Sequence, residues 1–119
     1  MKVVIIGASD NPERYSYKAA EALLKKGYDI ELIGVKNKTL FNIPIERSIN
    51  CHLSEMIITL YVGPQHQSNY IDDIIKARPL KVIFNPGTEN SAFQELLTQH
   101  QIDWEEACTL VKLSLNQFP

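Results

Sequence analysis

Cysteine is scarce in this chain of 119 residues, which holds two, Cys51 and Cys108. No disulfide framework can be built from so few, and no Cys-x-x-Cys pair offers itself to zinc or to redox chemistry. The three histidines, His52, His66 and His100, stand far apart, so no metal site is expected. Positive charge is also in short supply: 12 Lys and Arg face 14 Asp and Glu, a formal net charge of −2. That balance speaks against bulk nucleic-acid binding, which needs a cationic face to displace counterions. No apolar run approaches the roughly 20 residues needed to span a bilayer, so no membrane partner is expected. A strand pattern begins almost at the first residue and leaves no room for a signal peptide. The expectation is reduced thiols in the cytoplasm, with a small-molecule ligand as partner. A homo-oligomer is compatible with the sequence, but nothing in it indicates one.

What is present fits one α/β domain over residues 1–119, with 45% hydrophobic and 22% charged residues. Lys2–Ile6 is a continuous apolar run rich in β-branched side chains, as expected of a parallel strand buried on both faces. A helix follows over about Ser16 to Lys26, with Ala19, Ala20, Leu23 and Leu24 on one face, Ser16 as N-cap and Gly27 as stop. Tyr28–Ile33 is the second strand, Met56–Val62 the third, Lys81–Phe84 the fourth and Ile102–Trp104 the fifth. Ile71, Ile74 and Ile75 stripe a helix ending near Ala77, ahead of Pro79. Phe93, Leu96, Leu97 and His100 stripe another, with Ser91 and Gln94 as a capping box and His100 packed. Between Val35 and Glu55 no helical period shows. That stretch reads as an irregular crossover holding Ile43-Pro44-Ile45, with a short helix near Ser48. The alternation calls for a three-layer Rossmann-like doubly wound fold with about five parallel strands in the order 3-2-1-4-5.

The most informative stretch is Gly7-Ala8-Ser9-Asp10-Asn11-Pro12-Glu13-Arg14-Tyr15-Ser16-Tyr17. Strand, glycine-led loop and helix N-terminus in that order form the phosphate-binding corner of a nucleotide fold. A dinucleotide site of the usual kind is disfavoured, because the loop has Gly7 alone where G-x-G-x-x-G is needed. Such sites also end the second strand on an acidic residue that holds the ribose. Here that strand runs into Gly34-Val35-Lys36-Asn37-Lys38, and two lysines suit a ribose that bears a phosphate, as in NADP or coenzyme A. The plainer reading is that Lys36 and Lys38 are solvated loop charges.

The wording Gly-Ala-Ser-x-Asn-Pro-Glu-Arg-x-Ser-Tyr resembles the signature of the small stand-alone CoA-binding domain proteins. Their Rossmann-like domain is similar to the CoA-binding domain of the succinyl-CoA synthetase α subunit. The resemblance extends to Gly27-Tyr28, Pro64, Gly87 and Cys108. It implies that the loop Gly7–Tyr17 cradles the CoA pyrophosphate. Gly7, Ala8, Asn11 and Tyr15 shape that cradle, Ser9 and Ser16 donate hydroxyl bonds, and Arg14 makes charge-assisted bonds to phosphate. Val35, Lys36, Asn37 and Lys38 would meet the adenosine 3′-phosphate. Val62, Gly63 and Pro64 would border the adenine, and Asn85, Pro86 and Gly87 would face the pantetheine arm. Cys108 joins this cofactor-binding set, near the CoA sulfhydryl. The chain departs from the family in three places. Gly34-Val35-Lys36-Asn37 stands where a Pro-Val-Asn-Pro-like pattern is usual, Gly63 and Gln65 replace arginines, and Glu106-Ala107-Cys108 replaces Asp-Arg-Cys.

Each of these residues also has a plainer reading. Gly7 could equally serve the turn alone, Arg14 could stand as a solvated surface charge, and Tyr15 and Tyr17 could simply pack the loop. Cys108 as a reactive thiol competes with burial, the usual state of a free cysteine. His66 sits on the ligand edge but at a loop-to-helix junction, where polar residues commonly cap or face water. Glu105 and Glu106, adjacent in a strand, point to opposite faces and form no carboxylate pair. No nucleophile, base and orienting group can be assembled, so no catalytic residue is assigned and a binding module is favoured over an enzyme. The expected function is binding of CoA or an acyl-CoA at the carboxyl edge of the sheet. The alternatives are an NADP-type nucleotide module, a thiol-dependent acyl-transfer enzyme using Cys108, and a protein-interaction domain without ligand.

Overall fold

The N-terminal apolar run forms β1 (Lys2–Ile6), and every residue from Val3 to Ile6 is inaccessible to solvent. A computed structural model describes residues 1–49 and 55–119 of the chain. The remaining strands are β2 (Asp29–Ile33), β3 (Thr39–Leu40), β4 (Ile43–Glu46), β5 (Met56–Leu60), β6 (Lys81–Phe84) and β7 (Asp103–Glu106). The helices are α1 (Tyr15–Lys25), α2 (Ser68–Ala77), α3 (Ser91–Gln99) and α4 (Thr109–Ser114), with a 3-10 turn at Pro64–His66. Among the described residues, seven strands form one sheet in the order β3-β4-β2-β1-β5-β6-β7, parallel throughout except for the β3–β4 pair.

Alternation along β1 assigns its two faces. Val3 and Ile5 pack with Ala20 and Leu23 of α1, Ile30 and Leu32 of β2, and Leu113 of α4. Val4 and Ile6 pack with Tyr70 and Ile74 of α2 and Phe93 and Leu97 of α3. Helices therefore cover both faces, and the side they take changes between β1 and β5. That change makes a crevice at the carboxyl ends of these two strands, the usual ligand position in an open α/β sheet.

The expected strand count and order need correction. Met56–Leu60, expected as the third strand beside β2, lies beside β1 instead, and Lys81–Phe84, expected beside β1, pairs with β5. Ile43–Glu46 pairs in parallel with β2, so the parallel strands alone run 3-2-1-4-5-6. A four-residue strand containing Pro44 carries a weak signal, because proline breaks a ladder and fits only near an edge. Thr39–Leu40 folds back on it through Phe41 and Asn42, both left-handed at φ 52° and 64°. The crossover thus contains a hairpin. Ser48 lies in a bend rather than a helix, and residues 50–54, with Cys51 and His52, fall outside the described residues.

The caps differ as well. Arg14, not Ser16, takes the N-cap position of α1, and Ser16 is buried within the first turn. Asn90, not Ser91, caps α3, its Oδ1 accepting from the Phe93 amide at 3.2 Å. Gln94 is drawn away from any capping box by its bond to Glu106 (2.9 Å). His100 is exposed at the C-terminus of α3 instead of packed. Among the described residues no helix is long and apolar enough to cross a membrane, and no cluster of metal-ligating side chains occurs.

Candidate functional site

The loop after β1 is built from its own side chains. The Asn11 amide donates to Ser9 Oγ (3.1 Å), the Glu13 amide to Asn11 Oδ1 (3.0 Å) and the Arg14 amide to the Asn11 carbonyl (3.0 Å). These successive turns lead the chain into α1 without a side-chain cap. Short polar side chains that bond their own backbone favour such turns over continued helix or strand. At the start of the loop the Gly7 and Ala8 amides both donate to the Ile33 carbonyl, each at 2.8 Å. Both amides are thereby used within the fold.

Gly7 is required for two reasons. Its φ of +96° suits glycine, and a Cβ there would stand 2.9 Å from the Tyr61 carbonyl group and from Val62 Cγ2. The loop therefore presses directly on the carboxyl end of β5. The donors left over lie further along. Among the described residues, the amides of Ser9 and Asp10, and those of Tyr15, Ser16 and Tyr17 in the first turn of α1, have no acceptor. Helix N-terminal amides of this kind attract anions through both their free N–H groups and the helix dipole.

A groove crosses this edge in two adjoining lobes. The first encloses about 370 Å³ between the loop at Gly7–Ser16, Val35 and Lys36 on one side and Pro86, Gly87 and Thr88 on the other. The second, about 550 Å³, is walled by Gly34 and Val35, by Val62 and Gly63, and by His66, Asn69 and Tyr70. Gly7, Ala8, Arg14, Val35, Tyr61 and Gly63 border both lobes. Among the described residues, the charged side chains at the wall are Arg14 and Lys36, and no carboxylate lines either lobe. Neither cation forms an ion pair among the described residues; the two salt bridges there, Lys81–Glu105 and Lys112–Glu105, are elsewhere.

Residues 1–114 match the family described as CoA binding domain. The chain belongs to that family. The CoA-binding domain is also similar to a crystal structure of an uncharacterized protein, 38% identical, with 98% of this chain and 97% of that one covered and a TM-score of 0.88. Two further solved structures share the fold. A cell-free product of Thermus thermophilus is 18% identical, with 98% and 90% of the chains covered and a TM-score of 0.87. A hypothetical protein of Pyrococcus horikoshii OT3 is 21% identical, with 95% and 81% covered and a TM-score of 0.87. No curated protein sequence matches the chain.

Within this CoA-binding domain the residues expected at the site divide into four groups. Gly7, Ala8, Ser9, Asn11, Arg14, Tyr15, Ser16, Val35, Lys36, Gly63, Pro86 and Gly87 line the first lobe, and Val62 lines the second. Asn37, Lys38 and Pro64 are exposed beside the groove without lining it. Asn85 is committed to the interior. Its Nδ2 donates to Thr59 Oγ1 (2.7 Å) and the Leu60 carbonyl (2.9 Å), and its Oδ1 accepts from the Thr109 amide (2.9 Å). Cys108, half-buried at the N-terminus of α4, lines neither lobe.

Tyr61, Thr88, Asn69 and Tyr70 line the groove but do not stand out in the sequence. Tyr61 had a signal, being the residue that follows a largely apolar strand at its carboxyl end. Its hydroxyl is buried with no hydrogen-bond partner of normal geometry. Burial pushes its pKa up to about 12, an effect opposed by the nearby Thr109 and Thr59 hydroxyls and augmented by the Cys108 thiol.

Proposed function

We propose that this domain binds CoA or an acyl-CoA reversibly in the two-lobed groove, as a ligand-binding module. The observation that carries the reading is the coincidence, at one end of the groove, of unpaired first-turn amides with Arg14 and Lys36 and no carboxylate. A polyanion is the ligand that such a surface favours. Phosphates would sit against Ser9 and the first turn of α1, with Lys36 on the ribose phosphate. The nucleobase would occupy the second lobe, where Val35, Val62 and Tyr70 offer apolar contact. The acyl-transfer alternative gains no support, since Cys108 lies off the groove.

Calorimetric titration with CoA, dephospho-CoA and NADP⁺ tests this reading. CoA should bind, and dephospho-CoA should bind about tenfold more weakly, the loss expected when a charge-assisted hydrogen bond of about 1.5 kcal/mol is removed. Arg14→Ala and Lys36→Ala should weaken CoA by similar factors while leaving the melting temperature of the free protein unchanged, because both side chains are exposed and unpaired. Equal affinity for CoA and dephospho-CoA would remove Lys36 from its role. Tighter binding of NADP⁺ than of CoA would move the ligand to the dinucleotide class.

A further inference from the structure

Gln67 sits between the 3-10 turn and α2 and is wholly inaccessible to solvent. A buried primary amide must satisfy two donors and an acceptor or incur a desolvation penalty. Here all three groups reach across loops. Nε2 donates to the Val62 carbonyl (2.8 Å) and to the Thr88 carbonyl (2.7 Å), and Oε1 accepts from Asn90 Nδ2 (3.0 Å). Val62 belongs to the wall of the second lobe and Thr88 to that of the first. Asn90 in turn caps α3. One side chain thus ties the loop after β5 to the loop after β6, opposite the glycine loop.

We propose that Gln67 is a positioning residue that fixes the spacing between these two loops, and so the width of the groove before any ligand enters. The arrangement itself is independent of the ligand; its effect on affinity rests on the CoA reading above. Preorganisation of this kind removes the ordering cost from the binding step.

The test compares Gln67→Met, which keeps shape without the hydrogen bonds, with Asn90→Ala, which removes the α3 cap but leaves both bonds to the loop carbonyls. Amide hydrogen exchange on the free protein reads the His66 and Thr88 amides, which bond the Gly63 and Asn85 carbonyls at 2.9 and 3.0 Å. In Gln67→Met both should exchange about tenfold faster while the amides of β1 and β5 keep their protection, and in Asn90→Ala both should stay slow. CoA affinity should fall by about tenfold in Gln67→Met and remain within twofold in Asn90→Ala. If Gln67→Met does not fold, Gln67→Asn serves, because it keeps a neutral amide but is one methylene too short to reach both loop carbonyls. Unchanged exchange at His66 and Thr88 in a folded variant would overturn the proposal. So would faster exchange with undiminished affinity for CoA. Absence of CoA binding by the unsubstituted protein would defeat the ligand reading instead, and the exchange data would still decide the role of Gln67.

Discussion

Gly7→Ala perturbs the contact on which the glycine loop depends. An alanine held at φ +96° costs about 1–2 kcal/mol relative to its preferred conformations. Its Cβ would also stand 2.9 Å from the Tyr61 backbone and from Val62 Cγ2, closer than such contacts allow. The Tyr61 backbone continues directly from β5 and cannot swing aside as a flexible side chain would, so the loop must lift. Overpacking of that kind typically costs a further ~1–3 kcal/mol. The sum is about 2–5 kcal/mol, measurable as a shifted midpoint in urea denaturation. Gly27→Ala is the control, since Gly27 has a similar φ of +87° but open space around its missing Cβ. It should lose only the conformational part, about 1–2 kcal/mol. Equal destabilisation by the two substitutions would refute the idea that the loop is pressed against β5.

Three further outcomes follow from individual side chains. Tyr61→Phe removes a buried hydroxyl without a normal partner, so stability at pH 7 should hold or rise by up to about 1 kcal/mol. Because the folded protein keeps that phenol protonated up to about pH 12, the unsubstituted protein should lose about 2 kcal/mol more than Tyr61→Phe between pH 10 and 12, as followed by alkaline titration of stability. Glu105 is held below the ordinary carboxylate range by hydrogen bonds from Lys112 and then Lys81, so its stabilisation is present at neutral pH and fades as pH falls through its lowered pKa. With the side chain about one third exposed, Glu105→Gln should cost no more than about 1 kcal/mol at pH 7, and the difference should vanish in acid denaturation curves at low pH. Asn85→Ala strands the Thr109 amide and the Leu60 carbonyl in the interior, a loss of about 2–4 kcal/mol in chemical denaturation.

The sequence carried the strong elements and missed the weak ones for physical reasons. Lys2–Ile6, Lys81–Phe84 and the Ile71–Ile74–Ile75 stripe are read easily because burial on two faces or on one helical face leaves a periodic apolar trace. The β3–β4 hairpin leaves little trace. It is short, contains Pro44, and turns through Phe41, whose left-handed backbone is accompanied by a ring contact with Tyr17 at 5.1 Å. Missing that strand put Met56–Val62 beside β2 and Lys81–Phe84 beside β1, whereas β4 takes the place beside β2 and β5 the place beside β1. At the site, the groups legible in sequence were those whose chemistry names itself: Gly7, Ser9, Arg14 and Lys36. Tyr61, Gln67 and Thr88 were not, because their parts depend on which loops the topology brings together. Asn85 shows the converse, a polar residue at a strand end whose partners all lie inside.

Amide shift mapping by NMR during titration with CoA is the most direct test of the central claim, that a phosphate-bearing ligand sits where β1 and β5 end. The amides of Ser9, Asp10, Tyr15, Ser16 and Gly63 should shift together and saturate, while those of α4 and the Trp104 side of β7 stay in place. A saturating shift confined to another surface, or no shift at millimolar CoA, would contradict it.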